Sequence, residues 1–557
     1  MSRIFPVFIL VVVLAVPSWA LEQTSARALV PELNLWLQPE SLAMTGIRMP
    51  EAVSDFYRAS DEGAAWTDGL SVGPQAHELL EVIRGAAEEG LCPEDYHLLE
   101  LESLFRYEED CRRHELTPAA EWLARLDIVL TDAFLLYATH QIQGRLDPVT
   151  LHNGWKASPR KADVAKLLRY ALTTGRTGRV LAELAPTAPG YVRLREQLTA
   201  LRLVAAEGLR EPFPTGRTLR PGDVDPHIRL LKQRLFESGD LAGFDEANAS
   251  ILDRDTVTAL RRWQVRHGLT SDGVLGPRTR TELRVPITVR IRQIERNLER
   301  WRWLPKSLGG RYILVNIADF ALQVVEEGVP VMTMPVIVGT SYRKTPVFSG
   351  RMTYLEFAPY WYVPPTILRE DKLPLIKVDP TWMERNHYEI IPASKETVRQ
   401  LEVSEVDWKD IHAENFPGIL RMKPGPWNPL GRVKFMFPNP YAVYLHDTPD
   451  RHLFMRSERS FSSGCIRIER PLDLAQYLLE GRGWNCDEII DLLQGDHPLR
   501  VNLPEAIPVH LLYFTAWVDY AGTLHYRKDP YWRDLGLEDA LQGFPEKTFS
   551  AEARTGF

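Results

Sequence analysis

The sequence predicts a multidomain α+β protein in which helical domains come first and a mainly β domain follows. The chain has 557 residues, enough for three or four domains at about 150 residues each. Apolar residues recur at helical spacing as far as Leu209, and from Arg311 onward the pattern changes to short β-rich runs. With 45% hydrophobic residues, each domain has enough apolar surface to form its own core.

The charge balance argues against one class of partner. The chain has 66 Lys and Arg residues and 74 Asp and Glu residues, which gives a formal charge of -8. Proteins that bind nucleic acid through its phosphates present an excess of basic residues. Nucleic acid is therefore not an expected partner.

Residues 1–20 predict a secretory signal peptide. Arg3 precedes an apolar run that ends at Val16, and the small residues Ser18 and Ala20 precede the expected cleavage site. The run is shorter than the ~20 residues that a helix needs to cross a bilayer. We therefore expect export to the periplasm, with an uncleaved membrane anchor as the alternative.

The chain contains four cysteines: Cys92, Cys111, Cys465 and Cys486. Disulfides persist outside the cytosol, and four cysteines allow three pairings. Cys92 and Cys111 lie in no histidine-bearing motif, so we expect a disulfide between them, with two buried thiols as the alternative. Cys465 is either paired with Cys486 or kept for chemistry.

Residues 28–210 are predicted to form a helical scaffold domain. Four apolar residues of the segment LDIVLTDAFLLYATHQIQG recur at i, i+4, i+7 and i+11: Leu126, Leu130, Ala133 and Tyr137. This spacing predicts a helix with one apolar face, and Gly144 is expected to end it. No cluster of acids, bases or metal ligands stands out in this region, which favours a structural role.

A stretch rich in Pro, Gly and Arg at residues 211–223 predicts a linker, and a three-helix module follows over residues 222–285. Pro277 is expected at the first position of the third helix. The string LRRWQVRHGLTSDGVLGPRTRTEL resembles the peptidoglycan-binding module of cell-wall enzymes, because its Trp-Gln, Gly-Leu, Asp-Gly and Gly-x-x-Thr elements occur in that order. The alternative is that these residues only build a helical bundle, so no ligand contact is assigned to them.

Residues 310–505 are predicted to form the mainly β domain, and residues 506–557 a C-terminal β extension and tail. The runs RYILVNI, FALQVVEEG and VPVMTMPVIVG are separated by short turns, which predicts hairpins. The strand pattern is lost over residues 366–429. An interruption of this length inside a β domain predicts an inserted lid.

The segment YLHDTPDRHLFMRSERSFSSGCIRI contains the residues best suited to catalysis, His446 and Cys465. Nucleophilic acyl transfer needs such a pair, because a thiol with a pKa of ~8.5 is little ionised at neutral pH and an imidazole can take its proton. Gly464 lets the backbone approach a reacting carbonyl, and its N–H, with that of Cys465, is expected to stabilise the oxyanion. Asp447 follows His446 on a strand and points to the other face, so a backbone carbonyl is the expected partner of the imidazole.

The strings YLHDT and FSSGCIRI together resemble the signature of L,D-transpeptidases with the YkuD fold. NLERWRWLP, TPVFSG, APYWYVPPTI and ILREDKLP are similar to the large periplasmic branch, which has a scaffold domain, a peptidoglycan-binding module and an inserted lid. The resemblance implies that Cys465 is the nucleophile, that His446 is the general base and acid, and that Arg467 supports the loop or a substrate carboxylate. Ser463 replaces a histidine found in many shorter members. Ser463 and Tyr444 are predicted substrate contacts, although an aromatic residue such as Tyr444 can also be part of the core.

The resemblance implies a cofactor-independent enzyme that acylates itself with a tetrapeptide stem, releases D-Ala and forms 3→3 cross-links. Donor and acceptor stems of peptidoglycan are the expected partners, with other cell-wall synthesis proteins as further candidates and a membrane only if the signal is uncleaved. No H-x-x-x-H or Cys-x-x-Cys spacing occurs, so no metal site is expected. The alternatives are an L,D-carboxypeptidase or endopeptidase, a lipoprotein-attaching transferase, and a catalytically silent wall-binding anchor.

Overall fold

The computed structural model describes residues 29–59, 63–68, 71–151, 155, 160–208, 211–392, 406–479 and 483–543. The predicted signal peptide at residues 1–20 and the end of the predicted tail lie outside these ranges. Contacts divide the chain into two compact units: residues 1–145, 160–186 and 541–557 in the first, and residues 146–159 and 187–540 in the second. In the described ranges, no helix has the length and apolar character needed to cross a membrane. The α+β class is confirmed, with helices first and a large mixed sheet in the second unit.

The first unit is helical. Its α-helices are Pro39–Met44, Pro50–Arg58, Pro74–Arg84, Leu98–Arg113, Ala120–Gln143, Val164–Thr174 and Thr177–Ala182, with 3₁₀ turns at Gly85–Glu89 and Pro93–Tyr96. The helix Ala120–Gln143 is buried on every side from Leu126 to Ile142, so the prediction of a single apolar face was wrong. Its buried Asp127 accepts hydrogen bonds from the backbone N–H groups of two residues and from a tyrosine hydroxyl, which offsets the cost of burying a carboxyl group. Gly144 ends the helix, as predicted.

All four cysteines are free thiols, so the expected disulfide between Cys92 and Cys111 is not formed. Cys92 is exposed and its Sγ donates a hydrogen bond to Glu94 Oε2 at 3.0 Å. Cys111 is buried within the helix Leu98–Arg113. One sulfur is exposed and the other is buried, and the spacing of the two cysteines along the chain did not indicate this difference.

The three-helix module is present in the second unit, with helices Pro226–Glu237, Arg254–Arg266 and Pro277–Leu283. The third helix begins at Pro277, as predicted. Gln264 Nε2 donates to Asp272 Oδ1 at 2.9 Å, and Gln264 Oε1 accepts from Gly273 N at 2.9 Å. The Trp-Gln and Asp-Gly elements are thus joined by internal hydrogen bonds, which favours the structural explanation of these residues.

Further helices precede, interrupt and follow the strands of the β domain along the chain. They are Pro148–Leu151, Pro189–Ala206, Ile287–Arg302, Pro365–Ile367, Leu373–Val378, Trp382–Arg385, Pro471–Leu479, Cys486–Gln494 and Arg533–Gln542, with 3₁₀ turns at Glu246–Asn248 and Arg451–Met455 and a π-helical turn at Leu368–Lys372. Ile287–Arg302 packs beside Pro189–Ala206, where Arg202 Nη2 donates to Glu295 Oε1 at 2.5 Å.

The described residues of the β domain form fourteen strands: β1 Arg311–Asn316, β2 Ala321–Glu326, β3 Val329–Gly339, β4 Phe348–Phe357, β5 Trp361–Tyr362, β6 Tyr388–Ile391, β7 Ile419–Met422, β8 Val433–Met436, β9 Leu445–His446, β10 Ser460–Ser462, β11 Ile466–Ile468, β12 Leu499–Leu512, β13 Ala516–Val518 and β14 Leu524–Tyr526. Nine form a sheet in the order β10-β3-β11-β9-β8-β4-β12-β1-β2, and β2 also pairs with β3. Eight strands, from β3 through β11 to β2, are therefore paired in a closed ring. The ninth strand, β10, pairs only with β3. The predicted hairpins β1–β2 and β2–β3 are confirmed.

Strand β12 connects the predicted C-terminal extension to the main sheet. It pairs in parallel with β1 and antiparallel with β4, so it lies inside the sheet. The predicted boundary between residues 505 and 506 falls within this strand. Residues 507–512 thus belong to the sheet, while β13 and β14 form a separate two-stranded ribbon.

The inserted segment, residues 366–429, has its own small sheet in the order β5-β7-β6. This sheet packs with the short helices around a hydrophobic core that includes Trp361, Ile376, Met383 and Leu420. Trp361 belongs to β5, so the inserted structure begins before residue 366. Residues 393–405 lie outside the described part. From the β domain, Tyr444 packs against this core.

Candidate active site

Two adjacent strands bring the predicted site residues together. β9 and β11 run in parallel, with His446 opposite Arg467. Cys465 and Tyr444 directly precede these strands and are also opposite each other, because Ile466 N donates to Tyr444 O at 3.1 Å. Side chains two apart on a strand share a face, and so do paired residues. Cys465, Arg467, Tyr444 and His446 therefore lie on one face of the sheet.

His446 is buried and its ring is held by the backbone. Nδ1 donates to the carbonyl oxygen of Asp447 at 2.6 Å, which confirms the predicted carbonyl partner. A carbonyl only accepts hydrogen bonds, so Nδ1 carries the proton and Nε2 has a free lone pair. Burial, together with the positive charge of Arg467, lowers the pKa of His446 to about 3. The imidazole is therefore neutral at physiological pH.

The carboxylate of Asp447 takes no part in orienting the imidazole. Oδ2 accepts from Arg432 N at 2.9 Å, and Oδ1 lies 3.4 Å from Arg451 Nη2. Asp447 therefore does not complete a Cys-His-carboxylate triad, in agreement with the expectation from strand alternation.

Cys465 is a half-buried free thiol. Its Sγ donates a weak hydrogen bond to Ala442 O at 3.7 Å, and within the described ranges no hydrogen bond joins it to His446. Burial raises the pKa of Cys465, while hydrogen bonds from Tyr444 and the charges of Lys434 and Arg467 act in the opposite direction. Because burial dominates, the resting site holds a neutral thiol and a neutral imidazole.

A row of charged residues crosses the sheet through His446. The strand registers place Glu356 opposite Lys434, Lys434 opposite His446, and His446 opposite Arg467. Lys434 Nζ lies 3.3 Å from Glu356 Oε2 and 4.7 Å from the centre of the Tyr444 ring. Sequence reasoning missed Lys434, although a lysine in the middle of the apolar run VKFMF was a usable signal.

The predicted substrate contacts have partners within the protein. Arg467 Nη1 donates to Asp450 Oδ2 at 2.8 Å, so its guanidinium already binds a carboxylate and supports the loop that follows β9. Ser463 is exposed, and its Oγ accepts from Arg343 Nη1 at 3.0 Å. Burial and the neighbouring Cys465 thiol raise the pKa of the Tyr444 hydroxyl. Their contact with substrate stays a prediction.

The cysteine loop, residues 462–465, requires a revised assignment of the oxyanion donor. Gly464 has a φ of +116°, which favours glycine. Its N–H donates to Ser462 Oγ at 3.1 Å, and Ser462 Oγ donates to Cys465 O at 2.5 Å. The predicted Gly464 donor is therefore engaged. The N–H of Cys465 has no hydrogen-bond partner among the described residues and is the better candidate.

The loop that follows β3 buttresses the cysteine loop. Thr345 is fully buried, and its Oγ1 accepts from Gly339 N and donates to Gly464 O, both at 2.9 Å. Tyr531 OH donates to Gly339 O at 2.6 Å. A Cβ at Gly339 would lie 2.1 Å from Arg343 O, so this close approach requires glycine. The string TPVFSG contains Thr345, but its contact with Gly464 was not foreseen.

Comparison with known proteins identifies three regions of the chain. Residues 310–490 match the YkuD family, an L,D-transpeptidase catalytic domain. Residues 51–198 match a scaffold domain, and residues 225–283 match the family described as "Putative peptidoglycan binding domain".

One named relative is also an L,D-transpeptidase by its name. A Haemophilus influenzae protein named "Putative L,D-transpeptidase" is 35% identical over 223 residues, which cover 40% of this chain and 44% of that protein. The match thus spans less than half of this curated relative. The crystal structure of the L,D-transpeptidase from Xylanimonas cellulosilytica is 15% identical and covers 54% of this chain and 100% of its own, but its TM-score of 0.18 is too low to indicate a shared fold. On the domain matches, residues 310–490 are similar to the L,D-transpeptidase catalytic domain of the YkuD family.

Proposed function

We propose that this protein cross-links peptidoglycan stems by 3→3 transpeptidation through an acyl-enzyme on Cys465. The observation that supports this most directly is the common face of β9 and β11, where a free thiol and a neutral imidazole with an unprotonated Nε2 occur together. The export signal predicted by residues 1–20 would deliver the enzyme to the periplasm, where these stems are found.

In the first half-reaction, Cys465 Sγ attacks the carbonyl of the third residue of a tetrapeptide stem. His446 Nε2 takes the thiol proton as the S–C bond forms, because negative charge developing nearby raises the proton affinity of the imidazole. The oxyanion accepts from Cys465 N–H. The C–N bond to D-Ala then breaks, and His446 returns the proton to the leaving amine. An imidazole whose resting pKa is about 3 gives up this proton readily.

In the second half-reaction, the side-chain amine of another stem attacks the thioester. A C–N bond forms, the C–S bond breaks, and the amine proton returns through His446 to Sγ. The thioester retains the energy of the original peptide bond, so the transfer requires no nucleotide. The inserted segment lies next to the site through its packing with Tyr444 and is suited to limiting access by water.

The test is incubation with a defined tetrapeptide, with and without an amine acceptor, followed by intact-mass and product analysis. We expect an adduct on Cys465, release of D-Ala and, with the acceptor, a cross-linked product. Cys465→Ala should abolish all three, whereas Cys486→Ala, which removes another free thiol outside the site, should not.

Each alternative has its own outcome. Hydrolysed tripeptide as the sole product, even with acceptor present, would indicate a carboxypeptidase. Retained binding to sacculi without any adduct would indicate an anchor. D-Ala release by Cys465→Ala would exclude Cys465 as the nucleophile.

A further inference from the structure

Arg343 lies in the loop between β3 and β4, and its backbone is packed tightly against the cysteine loop. A Cβ at Gly339 would meet Arg343 O at 2.1 Å and Gly464 Cα at 3.1 Å, so these backbone segments are in close contact. Thr345, two residues later, donates to Gly464 O at 2.9 Å. The position of Arg343 is therefore fixed relative to Cys465.

The side chain of Arg343 joins the cysteine loop to the inserted segment. Nη1 and Nη2 donate to the two carboxylate oxygens of Asp371 at 2.8 and 2.9 Å, and Nη2 donates to Glu370 Oε2 at 2.5 Å. Nη1 also donates to Ser463 Oγ at 3.0 Å. Paired parallel hydrogen bonds between a guanidinium and a carboxylate are strong and directional. One side chain thus binds two carboxylates of the inserted segment and the residue two positions before the nucleophile.

The two carboxylates lie in the π-helical turn Leu368–Lys372, a rare geometry that often occurs at functional sites. The last residue of this turn, Lys372, places its Nζ 5.6 to 5.7 Å from the ring centres of Trp361, Trp382 and Tyr388. Lys372 therefore attaches the end of the turn to the core of the inserted segment. Glu370 and Asp371, within the turn, bind Arg343.

The inserted segment also contacts the site at a second point. Its core packs against Tyr444, which lies opposite Cys465 on the same face of the sheet. Loss of the Arg343 ion pairs would leave this apolar contact with Tyr444 in place.

We infer that Arg343 is a positioning residue that holds the inserted segment against the cysteine loop and thereby favours an amine over water as the acceptor. This inference rests on the proposed function. With the ion pairs formed, the segment stays closed over the thioester; with the pairs broken, water reaches the thioester more often. The side chains of Arg343, Asp371 and Glu370 are 17%, 39% and 50% exposed, so added salt should weaken these ion pairs.

The test compares Arg343→Asp, Asp371→Arg and the double variant that exchanges the two charges. The readout is the ratio of cross-linked to hydrolysed product from tetrapeptide and an amine acceptor. Each single variant should lower this ratio by roughly fivefold, because a partly exposed ion pair contributes about 1 kcal/mol. The double variant should recover most of the ratio. Arg369→Asp is the matched control, since Arg369 is exposed in the same turn and forms no hydrogen bond or ion pair with the described residues.

A second measurement does not depend on catalysis. Backbone hydrogen exchange over residues 365–378 should be faster in Arg343→Asp than in the wild type and should slow again in the double variant. If Arg343→Asp does not fold, Asp371→Asn and Glu370→Gln remove the same pairs from the exposed side. Unchanged exchange and product ratio in the single variants, or a double variant no better than either, would overturn the inference. Absence of any Cys465 adduct in the wild type would instead overturn the proposed function. The exchange measurement would then still test whether Arg343 holds the inserted segment against the cysteine loop.

Discussion

The buried hydroxyl of Thr345 offers the sharpest test of how the site is built. Thr345→Val keeps the volume of the side chain but removes the hydroxyl, which leaves Gly339 N–H and Gly464 C=O without a partner. An unsatisfied buried backbone group costs about 1 to 3 kcal/mol, so two of them should lower the free energy of unfolding by about 3 kcal/mol. Thr345→Ser, which keeps the oxygen and loses one methyl group, should cost about 1 kcal/mol.

Thr345→Val should also slow catalysis, because Gly464 O loses the hydrogen bond from Thr345 that positions the cysteine loop. Displacement of a reacting group by about 1 Å can cost on the order of 100-fold in rate. Urea unfolding of the catalytic domain gives the stability change, and intact-mass time courses of Cys465 acylation by a carbapenem give the rate. If Thr345→Val were as stable as Thr345→Ser and acylated at the wild-type rate, the account of the two hydrogen bonds would be refuted.

Three further predictions concern charge. Because the pKa of His446 is about 3, acylation of Cys465 should be nearly independent of pH from about 4.5 to 7; a tenfold fall per pH unit below 6.5 would contradict this. Lys434→Met removes a cation that lowers the pKa of Cys465 and should slow acylation roughly tenfold, as for one pKa unit, whereas Lys434→Arg should not; equal rates in both variants would exclude an electrostatic role. Burial raises the pKa of Asp127 from 3.8 to about 6. Protonation of Asp127 therefore stabilises the first unit by about 3 kcal/mol below pH 3.8, and this stabilisation is lost as the pH rises through 6. Asp127→Asn should flatten the dependence in urea titrations at pH 4 and 7.

Several elements were predictable because they depend on local sequence. The hairpins β1–β2 and β2–β3 followed from short apolar runs broken by turns, and Gly144 and Pro277 marked a helix end and a helix start. The carbonyl partner of His446 followed from strand alternation, since Asp447 had to point away. In each case the relevant contacts lie within a few residues along the chain.

Other features were not predictable because they join distant parts of the chain. The boundary drawn after residue 505 cut through β12, since only pairing with β1 and β4 shows that this strand belongs to the sheet. The expected disulfide failed because spacing does not reveal the surroundings of Cys92 and Cys111. The Gly464 N–H was assigned to the oxyanion without knowledge that Ser462 Oγ would accept it.

The sequence by itself determined which groups are available for chemistry: His446, Gly464 and Cys465, in an order that resembles the L,D-transpeptidase signature. Only the tertiary structure decided how these groups are tuned. Lys434 and Arg467 flank His446 through strand register, and Arg343 reaches Asp371 across the fold. Electrostatic and hydrogen-bonding effects depend on distance in space and on burial, and neither quantity can be read from separation along the chain.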